Sequence, residues 1–165
     1  MKTFQEFIIE SYKPFIARNG MTLYHSSREK FKQFINRPTW FTPTLKEANA
    51  YAENLKEDVE FTLGDVSSYL YICTLKTDKI LNEKQVKEFT EKIFPKEDIL
   101  YSMFDENIGE FETNKVKELI NSIKKANFNG VIHRDYSAID NQIDSYTIVV
   151  FEPVKYVKIN KIETT

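Results

Sequence analysis

The order of elements between residues 22 and 57 constrains this chain more than any other feature. Thr22-Leu23-Tyr24-His25 reads as a strand, with Leu23 and His25 on one face because side chains alternate along an extended backbone. Arg28 to Asn36 carries Phe31, Phe34 and Ile35 at helical spacing and predicts a helix that Pro38 ends. Thr39-Trp40-Phe41-Thr42, bounded by prolines, is a second, short strand. Thr44-Leu45-Lys46-Glu47 then has the form of a capping box, so a helix starts there and runs to about Glu57. On it Ala48, Tyr51, Ala52 and Leu55 share a face, which turns Tyr51 the same way as the core-facing residues. One histidine and two large rings are thereby carried on consecutive elements, with Tyr51 eleven positions after Trp40.

Val59 to Leu63 and Ser68 to Leu75 read as strands that pair through a turn at Gly64-Asp65. Residues 83–104 are charged, with spaced apolar positions (Val86, Phe89, Ile93, Ile99, Leu100), and predict one or two solvated helices broken near Pro95. Thr113 caps a helix whose Val116, Leu119, Ile120 and Ile123 sit at i, i+3, i+4 and i+7, closed by Asn127 to Gly130. Val131-Ile132, a polar loop holding His133, Arg134 and Asp135, the strand Tyr146 to Phe151 and a last strand around Tyr156 to Ile159 complete an α+β chain. Among the loop residues a solvated polar segment is the simpler account, and no motif supports a His133–Asp135 dyad.

A chain of 165 residues with 41% hydrophobic content can bury the core of one ordinary domain. The single cysteine, Cys73, sits in an apolar run and can form no intrachain disulfide. One Cys and two His supply no metal cluster, so no metal is expected. With 23 basic against 25 acidic residues, the formal charge of -2 argues against general attraction to nucleic-acid phosphate, although a local basic patch stays open. No apolar run approaches the roughly 20 residues of a membrane span and the N-terminus lacks a secretory apolar segment, so a soluble protein without membrane contact is expected. Aromatic residues at 14% suit a β-rich core and a stacking site.

Leu23-Tyr24-His25-Ser26-Ser27, Thr39-Trp40-Phe41-Thr42-Pro43 and Ala48-Asn49-Ala50-Tyr51-Ala52, in that order, resemble the NAD-binding half of the ADP-ribosyltransferase fold, in its histidine–tyrosine–glutamate branch. Asn127-Phe128-Asn129-Gly130-Val131-Ile132, Ile148-Val149-Val150-Phe151-Glu152-Pro153 and Val157-Lys158-Ile159 are similar to the C-terminal half of such domains in phage polyvalent proteins. The resemblance covers most of residues 21–160 and rests on the order and spacing of the motifs. It implies a split β-sheet core with flanking helices, and NAD as co-substrate without a metal. His25 would hold the nicotinamide ribose, Ser26 and Ser27 would set backbone groups against the carboxamide, and Trp40 and Tyr51 would clamp the ring, with Phe41 and Thr42 beside them. Trp40 departs from the tyrosine usual at the first ring position.

A larger departure concerns the third triad member. The family's glutamate opens the strand matching Thr147 through Phe151, where it stabilises the oxocarbenium-like ribose, and the alignment sets Thr147 in its position. Losing such a charge costs on the order of a hundred- to a thousandfold in rate. Glu152, five residues on, lies about 16 Å away along a strand and on the opposite face, so Asp144 in the preceding loop is the better substitute. Chain-building activity is not expected.

The N-terminal Met1-Lys2-Thr3-Phe4-Gln5-Glu6-Phe7-Ile8-Ile9-Glu10 is a short amphipathic helix by pattern, with Phe4, Phe7 and Ile8 on one side. On pattern alone it is a terminal helix docked on the domain. Its identity resembles the capsid-targeting peptide of T-even phage internal head proteins, and Ile8-Ile9-Glu10 before Ser11 fits the rule of the prohead protease that removes it. Residues 1–10 are then a propeptide and 11–165 the domain. The resemblances together imply residence in the virion interior, injection into the host cytoplasm, and single ADP-ribose transfer to a host protein or nucleic acid. Thr147 keeps open an inactive protein of the same fold that binds and inhibits a host factor. A structural head-filling role is the weakest implication, because nonspecific DNA packing favours a basic chain.

Overall fold

The computed structural model describes residues 15–63, 67–95, 114–136 and 143–165, with the side chains of 55–63, 135, 136, 143 and 144 not described. The class is mixed α+β, as expected. Two sheets are present among the described residues: a three-stranded one ordered β1-β3-β7 and a four-stranded one ordered β2-β6-β5-β4. The strands are β1 (Thr22–Ser27), β2 (Thr39–Phe41), β3 (Tyr69–Leu75), β4 (Ile80–Leu81), β5 (Gly130–Tyr136), β6 (Ile143–Val150) and β7 (Val157–Thr164). The helices are α1 (Leu45–Leu63), α2 (Glu83–Ile93), α3 (Asn114–Lys125) and a single turn, α4 (Pro153–Tyr156).

The sheets meet at one point. Tyr24 and Thr42 exchange both backbone hydrogen bonds at 2.9 Å, joining the edge strand β1 to the edge strand β2. Because side chains alternate, one continuous face carries Leu23, His25, Phe41, Ile148 and Val150, and the other carries Tyr24, Ser26, Trp40, Thr147 and Val149. The first face encloses a core between the sheets, built from Leu23, Phe34, Phe41, Tyr71, Cys73, Leu75, Ile132, Ile148 and Val150. The second buries Val131, Val149 and Phe151 under the apolar stripes of α2 and α3, with Val86, Val116, Leu119 and Ile123. α1 covers the same outer face over β1, where Ala48 and Ala52 are buried and Ser26 Oγ donates to the Ala48 carbonyl at 2.8 Å.

Several local expectations hold. Thr44 Oγ1 accepts from the Glu47 N–H at 3.3 Å, starting α1 as the capping box requires. Asn127 takes a left-handed conformation (φ 65) and ends α3, the Phe128 N–H returning to the Ile123 carbonyl. Gly130 must be glycine, since a Cβ there would meet the Val149 carbonyl oxygen at 2.2 Å. Thr113, Ile99, Leu100, Gly64-Asp65 and the N-terminal decapeptide lie outside the described residues.

Three expectations are corrected. Arg28 to Asn36 forms no helix: Phe31 N–H donates to Tyr71 Oη at 2.7 Å instead of to a carbonyl four residues back, and Phe34 is buried while Ile35 stands 70% exposed. Tertiary packing of two rings there outweighs local periodicity. Val59 to Leu63 is the end of α1 rather than a strand, because no glycine or proline interrupts the helix before Gly64; β3 pairs with β1 and β7 instead. His133, Arg134 and Asp135 belong to β5, not to a loop, and pair with Thr147, Tyr146 and Ser145. Asp144 likewise falls within β6 rather than in a preceding loop.

Candidate functional site

The site grows from the point where the sheets part. Tyr24 directs its N–H and C=O outward from β1 to Thr42. In an antiparallel edge strand these groups point to the same side every second residue, so Ser26 directs its N–H and C=O the same way, away from β3. Continuing the β1–β2 ladder would pair Ser26 with Trp40. The Trp40 carbonyl is instead taken by the His25 ring, whose Nδ1 lies 2.7 Å from it. The two strands therefore split immediately past Tyr24–Thr42, and Ser26 presents a backbone donor and acceptor to the split. Ser27 Oγ accepts from the Glu29 N–H at 3.1 Å and fixes the turn that leaves it.

A carbonyl can only accept, so His25 Nδ1 carries the proton and Nε2 is an acceptor. The imidazole is surrounded by Phe31, Phe34, Phe41 and Tyr71, with ring centroids 5.5–6.2 Å away. Burial among these rings lowers its pKa, more than the Trp40 carbonyl raises it, and the ring is neutral at pH 7. Tyr71 braces the arrangement. Its ring stacks on Phe31 at 4.1 Å, and its hydroxyl holds the Phe31 N–H and lies 3.2 Å from the Glu29 carbonyl.

On the outer face, side chains form rows across β2, β6 and β5. The row Trp40, Val149 and Val131 is apolar and packs on the helix-side core. The next row is polar. Extending the β2–β6 register by one residue sets Thr42 opposite Thr147, and Thr147 pairs with His133. Thr42 and Thr147 are 6% and 4% exposed. Thr42 Oγ1 is buried and finds no hydrogen-bond partner among the described residues. Burial lowers the pKa of His133 to about 4, so this row carries no charge at neutral pH.

Of the expected site residues, the structure brings His25, Ser26, Trp40, Phe41 and Thr42 to the split and sets Thr147 on the strand beside Thr42. Tyr51 lies on the half of α1 that carries the buried Ala48 and Ala52, turned toward β1. His25 and Thr147 do not share a face: His25 looks into the core between the sheets, Thr147 toward the helices. The Asp144 side chain lies outside what is described, and Glu152 forms a surface ion pair with Lys124 at 3.3 Å. The His133 contribution was missed because a histidine, an arginine and an aspartate in succession look like a loop. The alternation of Val131 with His133 was the available signal.

Among the described residues no group of three or more His, Cys, Asp or Glu is arranged to hold a metal ion, and no helix is long and apolar enough to cross a membrane. No family model matches the chain, and no curated protein or solved structure matches it.

Proposed function

We propose that this protein is an ADP-ribosyltransferase-like protein that binds NAD at the split between β1 and β2 and transfers a single ADP-ribose to a host macromolecule. The observation that carries this reading is the direction of the Ser26 main chain, whose N–H and C=O, by alternation from Tyr24, both point away from β3 toward the split. A primary carboxamide such as that of nicotinamide has the complementary acceptor and donor. Trp40 and Tyr51 then flank the nicotinamide on the outer side, while His25, whose ring looks into the core, acts indirectly by holding the Trp40 carbonyl away from Ser26. In this reading the chain's residues bind and orient the dinucleotide, and the nicotinamide–ribose bond breaks to give an oxocarbenium-like sugar that a host nucleophile captures.

A second reading is favoured by one observation. Thr147, at the position that the resemblance assigns to the glutamate, is a buried neutral side chain in an uncharged row. A protein of this fold that binds NAD or a host factor without chemistry fits that row better than a fast enzyme does. The N-terminal decapeptide supports packaging in a phage head and removal by a prohead protease after Glu10 in either reading.

Calorimetric titration of NAD into the protein beginning at Ser11, with Trp40 fluorescence as a second signal, tests the reading. Binding with quenching of this single tryptophan, weakened by His25→Ala, is expected. No heat and no fluorescence change at millimolar NAD would refute it.

A further inference from the structure

Residues 28–38 join the two walls of the split, leaving β1 after Ser27 and entering β2 at Thr39. Two rings hold this connection down: Phe31 and Phe34 pack into the core beside His25 and Tyr71, and the Tyr71 hydroxyl accepts from the Phe31 N–H at 2.7 Å. Around those anchors the other side chains turn outward. Arg28, Lys30, Lys32 and Arg37 are all exposed, with Glu29 as the single acid of the span. Lys30 sits over the Tyr69 ring at 5.9 Å, whereas Arg28, Lys32 and Arg37 have no ion-pair partner among the described residues. Ile35 stands 70% exposed on the same span, in a turn where the Arg37 N–H donates to the Ile35 carbonyl at 2.8 Å. A chain of net charge -2 thus concentrates unpaired positive charge, and one bare apolar side chain, on the loop that bridges the candidate site.

We infer that this loop is a docking surface for a single-stranded nucleic acid, whose phosphates meet Arg28, Lys32 and Arg37 and one of whose bases lies on Ile35. The inference rests on the proposed function in one respect, that it names the class of the macromolecule brought to the split. Like charges on so short a span repel one another, and a polyanion relieves that repulsion while releasing its own counterions. Ile35 selects among polyanions. An unpaired base has an apolar face to lay against it, a duplex keeps those faces stacked inside, and an acidic peptide has no such face on its charged side chains. An anionic membrane would draw the same cations, but a single apolar side chain buries too little area to hold the loop in lipid. Because Phe31 and Phe34 fix the loop against the core, the cations are presented by an ordered support and lose less freedom on binding than a tail does.

Fluorescence anisotropy of a labelled oligothymidylate of about 20 nucleotides, titrated with the full chain, tests this. Three phosphate contacts predict a salt slope of about -2, so that affinity falls roughly twentyfold between about 50 and 200 mM NaCl. Changing Arg28, Lys32 and Arg37 together to Gln should flatten that slope, each residue accounting for about 0.7 of it, while NAD affinity and the thermal midpoint stay as in wild type. Ile35→Ser should weaken the oligonucleotide by roughly fivefold at an unchanged slope, the worth of one partly covered apolar side chain. Absence of oligonucleotide binding at the lower salt overturns the proposal. So does equal binding of a duplex of the same length, tighter binding of polyglutamate or of phosphatidylserine vesicles, or indifference to Ile35→Ser. If the triple change weakens NAD as well, the cations serve the dinucleotide and the proposal fails in that way. NAD binding without oligonucleotide binding refutes this surface alone, whereas oligonucleotide binding with the expected slope and no binding of NAD keeps the surface and refutes the NAD reading.

Discussion

The His25 ring holds the Trp40 carbonyl at 2.7 Å, and this side-chain bond stands where the next rung of the β1–β2 ladder would be. The carbonyl would otherwise continue the β1–β2 ladder to Ser26. By drawing it aside, His25 keeps that carbonyl from Ser26 and fixes its own tautomer. Nitrogen-15 NMR should therefore find His25 protonated at Nδ1 and unprotonated at Nε2, and the pattern should persist as the pH falls below 6.5, the ordinary histidine value. A ring that gains its second proton near 6.5 would contradict the burial argument.

Removing that ring should loosen the join. His25→Ala deletes a side chain packed against four aromatic rings and its bond to Trp40. A loss of about 2–3 kcal/mol is expected from a cavity of this kind together with one hydrogen bond. Urea unfolding measures it, and a loss under about 0.5 kcal/mol would mean that the sheets are held elsewhere.

Much of this was legible in the chain and some was not, for physical reasons. Leu23 and His25 alternate cleanly, and Thr44-Leu45-Lys46-Glu47 is a local signal with a local cause, so β1 and the start of α1 could be placed from residues alone. The stripe of Val116, Leu119, Ile120 and Ile123 was equally readable, and all four are buried. Phe31 and Phe34 misled because three-residue spacing satisfies a helix as well as a loop that drops two rings into a core. Val59 to Leu63 misled because strand propensity is weaker than an uninterrupted helix that precedes it. The residues of the split were nameable, but their relation was not. The pairing of Tyr24 with Thr42, and of Thr147 with His133, joins positions far apart in the chain through a register that no local pattern encodes.

Cys73 is fully buried in β3, and desolvation pushes its thiol up to about 12. The thiolate is the reactive form, so at pH 8 a disulfide reagent should label the folded protein negligibly and the urea-unfolded protein stoichiometrically. Rapid labelling of the folded state would show that the core between the sheets opens.

The two histidines give stability a definite dependence on pH. The folded pKa of His133 lies at about 4 against an ordinary value of 6.5, and that of His25 is also lowered. Between these values the unfolded chain binds protons that the folded chain excludes, so stability is greatest above 6.5 and falls as the pH drops toward 4. For His133 the full loss is about 3 kcal/mol, reached below pH 4. Comparing urea midpoints at pH 7 and pH 4.5 for wild type and His133→Gln isolates this part from the carboxylates, and the variant should have the shallower decline. Parallel declines would place His133 in contact with water.

The decisive variant for chemistry is Thr147→Glu, which restores the charge that the resemblance calls for. Thr147 is 4% exposed and pairs with His133, so the new carboxylate would enter a buried, uncharged row. Desolvation raises its pKa unless a cation forms beside it, and the neighbouring imidazole is the available proton acceptor. The His133 pKa should therefore rise from about 4 toward neutrality, a change that NMR reads directly. With NAD bound, the same carboxylate would sit where positive charge develops on the ribose. Nicotinamide release should then increase by up to roughly a hundredfold, the usual worth of one electrostatic group. If wild type turns over slowly through Asp144, Asp144→Asn should abolish that background without affecting binding. If NAD binds and Thr147→Glu folds with its His133 pKa raised yet releases no nicotinamide, the pocket is not catalytic, and the protein is better understood as an injected inhibitor built on this fold.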